Sequence, residues 1–233
     1  MQRYDAVIFD LFGTLVDNVH DAAYHTCLWE TAAVLGIDED AFIACWCEES
    51  FRHQRRVGIL PSTAAQMEYV CQRFGIPILL EKIERAVMLQ RTRFGSGSLT
   101  PRPGTVDTLA ALHAQGYALG LISDCSWEVP DVWEQSAFAG LFQATIFSCV
   151  SGARKPDPCL YHFACEQLDL RPDRCLYIGD GSSHELTGAC QVGMDAILLC
   201  APHEREMVMQ RDDPRQWDGL VIERIEEVLE YLE

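Results

Sequence analysis

The chain has 233 residues, 48% of them hydrophobic and 23% charged, which are the proportions of a folded globular protein rather than a disordered or fibrous one. Its formal net charge of -17 disfavours nucleic acid and anionic membrane as partners, so an anionic small molecule must meet a local basic pocket. Eleven cysteines without paired CxxC spacing, no leader and no apolar run of membrane-spanning length point to the reducing cytoplasm, with the protein a monomer or homodimer.

Regular structure begins with Ala6-Val7-Ile8-Phe9, an unbroken apolar run suited to a strand buried on both faces. The run stops at Asp10 and is followed by Leu11, Phe12, Gly13 and Thr14. A carboxylate at the end of a buried strand is a metal ligand, a nucleophile or a helix cap, and open α/β sheets place ligand sites at such ends. From Ala22 the pattern turns helical. One helix runs to Leu35 and ends at Gly36, and a second starts at Asp38 and ends in the basic stretch Arg52-His53-Gln54-Arg55-Arg56. A third spans Ser62 to Phe74, and a fourth spans Leu79 to Phe94 with Glu81 and Arg85 paired at i,i+4. Four consecutive helices exceed one crossover, so residues 17–96 read as an inserted helical lid. The run Gly95-Ser96-Gly97-Ser98 is its return hinge.

Strand and helix then alternate: a helix from Pro103-Gly104 to Leu112, the strand Ala118 to Ser123, a helix from Trp127 to Phe138 and the strand Ala144 to Cys149. They are followed by a helix from Pro158 to Leu168, the strand Leu176 to Gly179, a helix from Glu185 to Val192, the strand Ala196 to Cys200 and a closing helix through Ile225 and Leu232. Repeated βα units predict an α/β fold with a mainly parallel, doubly wound sheet and right-handed crossovers. Residues 1–16 and 97–233 form the core, with a four-helix cap inserted between them.

Such a sheet brings Asp10, Thr14, Ser123, Lys155, Asp180 and Glu185 to one rim, a set suited to phosphoryl transfer. Hydroxyl, ammonium and turn N–H groups meet the phosphate oxygens, and the carboxylates meet a hard divalent ion. Lys155 is one of only two lysines among 18 basic residues, the other being Lys82. The cluster Arg52, Arg55 and Arg56 is the densest positive group on an acidic chain and reads either as a solvated helix end or as a grip on a second anionic group of the substrate.

In order, Asp10 to Thr14, Ser123-Asp124, Arg154-Lys155-Pro156 and Gly179-Asp180 with Glu185 resemble the four motifs of the haloacid dehalogenase superfamily, over nearly the whole chain. The subgroup they resemble has an inserted helical cap and includes phosphoglycolate phosphatases and 2-haloacid dehalogenases. The resemblance implies a Rossmann-type core and a Mg2+-dependent phosphatase with Asp10 as nucleophile. It implies Thr14, Ser123 and Lys155 as catalytic partners, and Phe12, Gly13 and Asp124 against the substrate. Mg2+ would be held by Asp10, Asp180, Glu185 and the main-chain carbonyl of Phe12. One position departs from the pattern: related phosphatases carry a second aspartate, an acid/base, where this chain has Phe12. His20, His53 and Glu128 are candidates for a substitute base. The alternatives are a 2-haloacid dehalogenase, whose pattern has tyrosine at the Phe12 position but serine at the Asp180 position, and a phosphate-binding protein that has lost turnover. A phosphonate hydrolase requires a lid lysine for imine formation, and Lys82 lies inside an amphipathic helix.

Overall fold

The computed structural model of the protein describes residues 2–18, 22–93, 99–211 and 213–232. Six parallel strands make one sheet in the order β3-β2-β1-β4-β5-β6: β1 (Ala6–Phe9), β2 (Ala118–Ser123), β3 (Ala144–Phe147), β4 (Cys175–Gly179), β5 (Asp195–Leu199) and β6 (Val221–Ile222). The strand that opens the sequence is therefore central. Its alternate residues feed opposite layers, Val7 and Phe9 on one face and Ala6 and Ile8 on the other.

Between residues 22 and 93 the chain forms five helices, α1 (Ala22–Leu35), α2 (Glu39–Cys47), α3 (Glu49–Arg56), α4 (Thr63–Arg73) and α5 (Leu80–Arg93). They pack around their own apolar cluster, which includes Leu28, Phe42, Trp46, Met67 and Ile83. α6 (Thr105–Ala114) follows and buries Leu109 and Leu112 against the Val7 face. The remaining helices are α7 (Glu128–Val132), α8 (Ser148–Ser151), α9 (Pro158–Leu168), α10 (Glu185–Gln191), α11 (Arg205–Val208) and α12 (Glu227–Leu232). α9 and α10 cover the Ile8 face through Leu160, Ala164, Leu186 and Ala189, while α12 covers the other through Val228. At roughly 25 cal/mol per Å2, burying the two faces supplies the main favourable term for this fold.

Four expectations need correction. The helix expected from Asp38 to Arg56 breaks at Glu48, whose ψ of 130° is extended, so the 22–93 region holds five helices and not four. Glutamate is a good helix former, so the break is tertiary: Glu48 pairs with Arg73 at 2.5 Å, and Arg55 folds back to donate to the Trp46 carbonyl at 3.0 Å. The helix expected from Trp127 to Phe138 stops at Val132, continues as a 3₁₀ turn over Trp133–Gln135 and ends where the Ser136 hydroxyl accepts from the Phe138 N–H. β3 ends at Phe147 because the Ser148 hydroxyl turns to bond both the N–H and the carbonyl of Cys125, each at 3.0 Å. The sixth strand, of two residues, was not expected at all. The Gly95–Ser98 hinge, the boundary at 97 and His20 lie outside the described residues.

Candidate active site

The carboxyl ends of β1, β2 and β4 are level, with Phe9 in register with Leu121 on one side and Ile178 on the other. Asp10 carries the ladder one step further, its N–H donating to the Ile178 carbonyl at 2.9 Å, and the residue is 3% exposed. Thr14, one turn on, donates its hydroxyl to Asp10 Oδ2 at 3.1 Å. The turn between them needs Gly13: its φ is +85°, and a Cβ there would lie 1.8 Å from Asp180 Oδ2.

From β4 come Asp180 and, after a tight turn, Glu185, both buried. Asp180 Oδ1 accepts the Ser182 N–H at 3.0 Å. Glu185 Oε1 accepts the Gly181 N–H at 2.9 Å, and its Oε2 accepts the Tyr177 hydroxyl at 2.9 Å. Lys155 ties the strands together. Its ammonium donates to Asp10 Oδ1 and Glu185 Oε2, both at 2.5 Å, and is 1% exposed. Its own N–H is fixed by Asp124 Oδ1 at 3.0 Å, and Asp124 Oδ2 accepts from Arg154 at 3.4 Å. Ser123, at the end of β2, is fully buried and its hydroxyl has no hydrogen-bond partner.

Electrostatics follow from this crowding. Burial pushes the Asp10 carboxyl up, Lys155 draws it back, and Asp180 raises it again. Burial and then Asp10 hold Glu185 well above the usual carboxylate range. Burial alone would lower the Lys155 ammonium, but Asp10 and Glu185 outweigh it and keep it charged.

Asp10, Asp180 and Glu185 each offer an oxygen within 4.8 Å of the others. Asp180 is buried, and its Oδ2 is ion-paired with Arg211. An all-oxygen donor set of three clustered, buried carboxylates fits a hard divalent cation.

The structure thus brings together Asp10, Gly13, Thr14, Ser123, Asp124, Lys155, Asp180 and Glu185. Phe12 is half-buried against the apolar cluster that contains Leu11 and Leu15. The three arginines separate. Arg52 is held locally, donating to the Cys47 carbonyl at 2.7 Å and facing Glu49. Arg55 is 6% exposed, with its guanidinium 4.0 Å above the Trp46 ring, and burial lowers its pKa. Arg56 is partly buried in the field of Arg154 and Asp124, at the rim of the core. His53 is exposed.

One charged residue escaped the sequence reading. Arg211 donates to the Asp180 carbonyl at 3.1 Å and pairs with its carboxylate, 31 residues along the chain. No motif or periodicity marks it. Two residues on, Asp213 caps α10 by accepting the Leu186 N–H at 2.7 Å, so the segment after α11 is pinned over the acidic turn.

Comparison with known proteins agrees with this geometry. The family model for haloacid dehalogenase-like hydrolases matches residues 4–193. The chain is 24% identical over 210 residues to (S)-2-haloacid dehalogenase 1 of Pseudomonas sp. (strain CBS-3), covering 85% of this chain and 86% of that one. It is 28% identical over 196 residues to phosphoglycolate phosphatase of Aliivibrio fischeri, covering 83% and 82%. Among solved structures, a HAD phosphatase from Thermococcus onnurineus superposes with a TM-score of 0.67 at 20% identity, over 98% of this chain and 97% of the other. The chain belongs to the haloacid dehalogenase-like hydrolases, enzymes that here have both phosphatases and dehalogenases as relatives.

Proposed function

We propose that this hydrolase acts on small anionic phosphate esters, with Asp10 as nucleophile and Mg2+ as cofactor. The observation that carries the reading is Asp180, a buried carboxylate clustered with Asp10 and Glu185, where dehalogenases of this type carry serine. Asp10, Asp180, Glu185 and the main-chain carbonyl of Phe12 would hold the ion, which when bound supplies positive charge to the phosphoryl oxygens. Thr14 and Lys155 keep Asp10 oriented, and Ser123 has a hydroxyl with no protein acceptor to give up. Asp10 attacks phosphorus, the bond to the leaving oxygen breaks, and water then cleaves the aspartyl-phosphate. Phenylalanine at position 12 neither protonates the leaving oxygen nor activates that water, so substrates whose leaving groups depart as stable anions are favoured. Helices α1–α5 act as the lid, with Arg55 and Arg56 reading the substrate tail. The eleven free cysteines fit a cytoplasmic monomer or homodimer, and no helix among the described residues is long and apolar enough to cross a membrane.

A second reading, a 2-haloacid dehalogenase, is favoured by Phe12 itself, because a halide leaves without a proton. Phosphate release from a panel of esters, with Mg2+ and with chelator, run beside chloride release from 2-chloropropionate, separates the two. Chelator-sensitive phosphate release is the expected result. Chloride release with no phosphate release would overturn the phosphatase reading.

A further inference from the structure

At the seam between the lid helices and the sheet, the carboxylates of Asp124, Asp131 and Glu49 are each hydrogen-bonded or ion-paired, and one neighbour has no hydrogen bond. Asp124 takes Lys155 and Arg154. Asp131, on α7, takes the Thr63 hydroxyl at 3.1 Å and Arg91 at 3.0 Å, both from lid helices. Glu49 faces Arg52 and Arg154. The exception is Glu128, 1% exposed, neither of whose carboxylate oxygens has a hydrogen-bond partner. It lies three residues before Asp131, on the face of α7 that meets the lid, and five residues after the phosphate-facing Ser123. Arg55 of the lid is near enough for the two charges to act on each other, yet it donates to the Trp46 carbonyl instead, and its Nε is likewise unpartnered.

A buried carboxylate with no donor costs several kcal/mol unless something supplies one. Two opposite charges held at the seam, coupled but unbonded, have hydrogen-bonding capacity left for a group that presents donors to one and an acceptor to the other. The phosphate end of the substrate already has Lys155 and Ser123. The group left over for Glu128 is a cation with several N–H donors, and a primary ammonium supplies three. We propose that Glu128 is a specificity residue that receives an ammonium group on the tail of a small phosphorylated substrate. This rests on the phosphatase reading for the other end of the molecule.

The test uses 2-aminoethyl phosphate and n-propyl phosphate, which differ in an ammonium for a methyl. Binding to the D10N protein is measured by titration calorimetry, in a background of D10N alone and of D10N with Glu128→Gln. The amine ester is expected to bind at least about tenfold more tightly to D10N, and the preference is expected to fall to about one when Glu128 is also changed. No preference in D10N, or a preference that Glu128→Gln leaves intact, overturns the proposal. A fall in Tm of more than about 5 °C in Glu128→Gln does so as well, since it reveals a structural partner for the carboxylate. If the wild type releases phosphate from acetyl phosphate yet shows no amine preference, this proposal alone fails. If the preference holds and no phosphate is released from any ester, the phosphatase reading alone fails, and binding of neither ester overturns both.

Discussion

Asp10 and Phe12 stand two residues apart and set opposite demands on the same turn. Asp10 sits in a place that favours its protonated form: burial raises its pKa first, Lys155 offsets part of this, and Asp180 adds to it. A carboxyl whose folded pKa lies above its unfolded value costs stability at neutral pH, so Asp10→Asn should abolish turnover while leaving Tm unchanged or higher, since Glu185 remains to hold Lys155. Calorimetric melting beside phosphate release checks both halves, and a variant that unfolds early or keeps wild-type activity contradicts the assignment. Phe12 is the complementary case, an apolar side chain where an acid/base would contribute ~10²–10⁴-fold. Phe12→Asp should speed breakdown of an aspartyl-phosphate formed from acetyl phosphate by roughly 10²-fold, at a cost of about 1–3 kcal/mol for setting a carboxylate against the Leu11 and Leu15 cluster. Rapid-quench measurement of the phosphoenzyme decides it: unchanged decay in a folded variant means another group already activates the water.

The elements that carry the site were legible because each ends an unbroken apolar run in a polar residue. Phe9 leads to Asp10, Ile122 to Ser123, and Ile178 through Gly179 to Asp180, and a parallel sheet then aligns those ends without further information. What stayed illegible is made by contacts far apart in sequence. Nothing near Glu48 signals a helix break, because its partner is Arg73 on α4. Nothing near Arg211 signals a site, because its partner is the end of β4 and the segment has neither strand nor helix periodicity. That segment is nevertheless built onto the acidic turn: Asp213 caps α10, and Gly181, with φ +79°, leaves so little room that a Cβ would meet Pro214 at 2.6 Å. Arg211 places a tethered cation on the carboxylate assigned to the divalent ion, and a tethered cation competes with a free one. Arg211→Ala should therefore tighten Mg2+ binding by about tenfold, read by titration calorimetry. Weaker binding in a folded variant would instead make Arg211 a support for the ion site.

Over the whole molecule, 35 acidic against 18 basic residues make self-repulsion a stability term alongside burial. Repulsion among exposed charges is screened within a Debye length of about 8 Å at physiological salt, whereas the buried carboxylates of the site are shielded from salt. The two contributions therefore separate. In chelator, adding salt should raise Tm at pH 8, and whatever dependence on pH remains at high salt near neutrality belongs to the buried groups. For these the sign is set by direction: Asp10 and Glu185 have folded pKa values above their unfolded ones, so the folded state binds more protons and gains stability as pH falls through the folded values. Asp5 and Asp173 act the other way. Their arginine partners hold them below the ordinary value, so their contribution is present above about pH 4 and lost as pH falls further. Tm at high salt should accordingly be higher on the acid side of neutrality than at pH 8. Glu185→Gln removes the carboxyl held furthest above its range while keeping an acceptor for the Gly181 N–H, so it should flatten the alkaline decline and leave the acid limb in place. Melting curves of the two proteins from pH 4 to 9 test this, and an alkaline decline of equal slope in both would show that the buried acidic cluster is not its source.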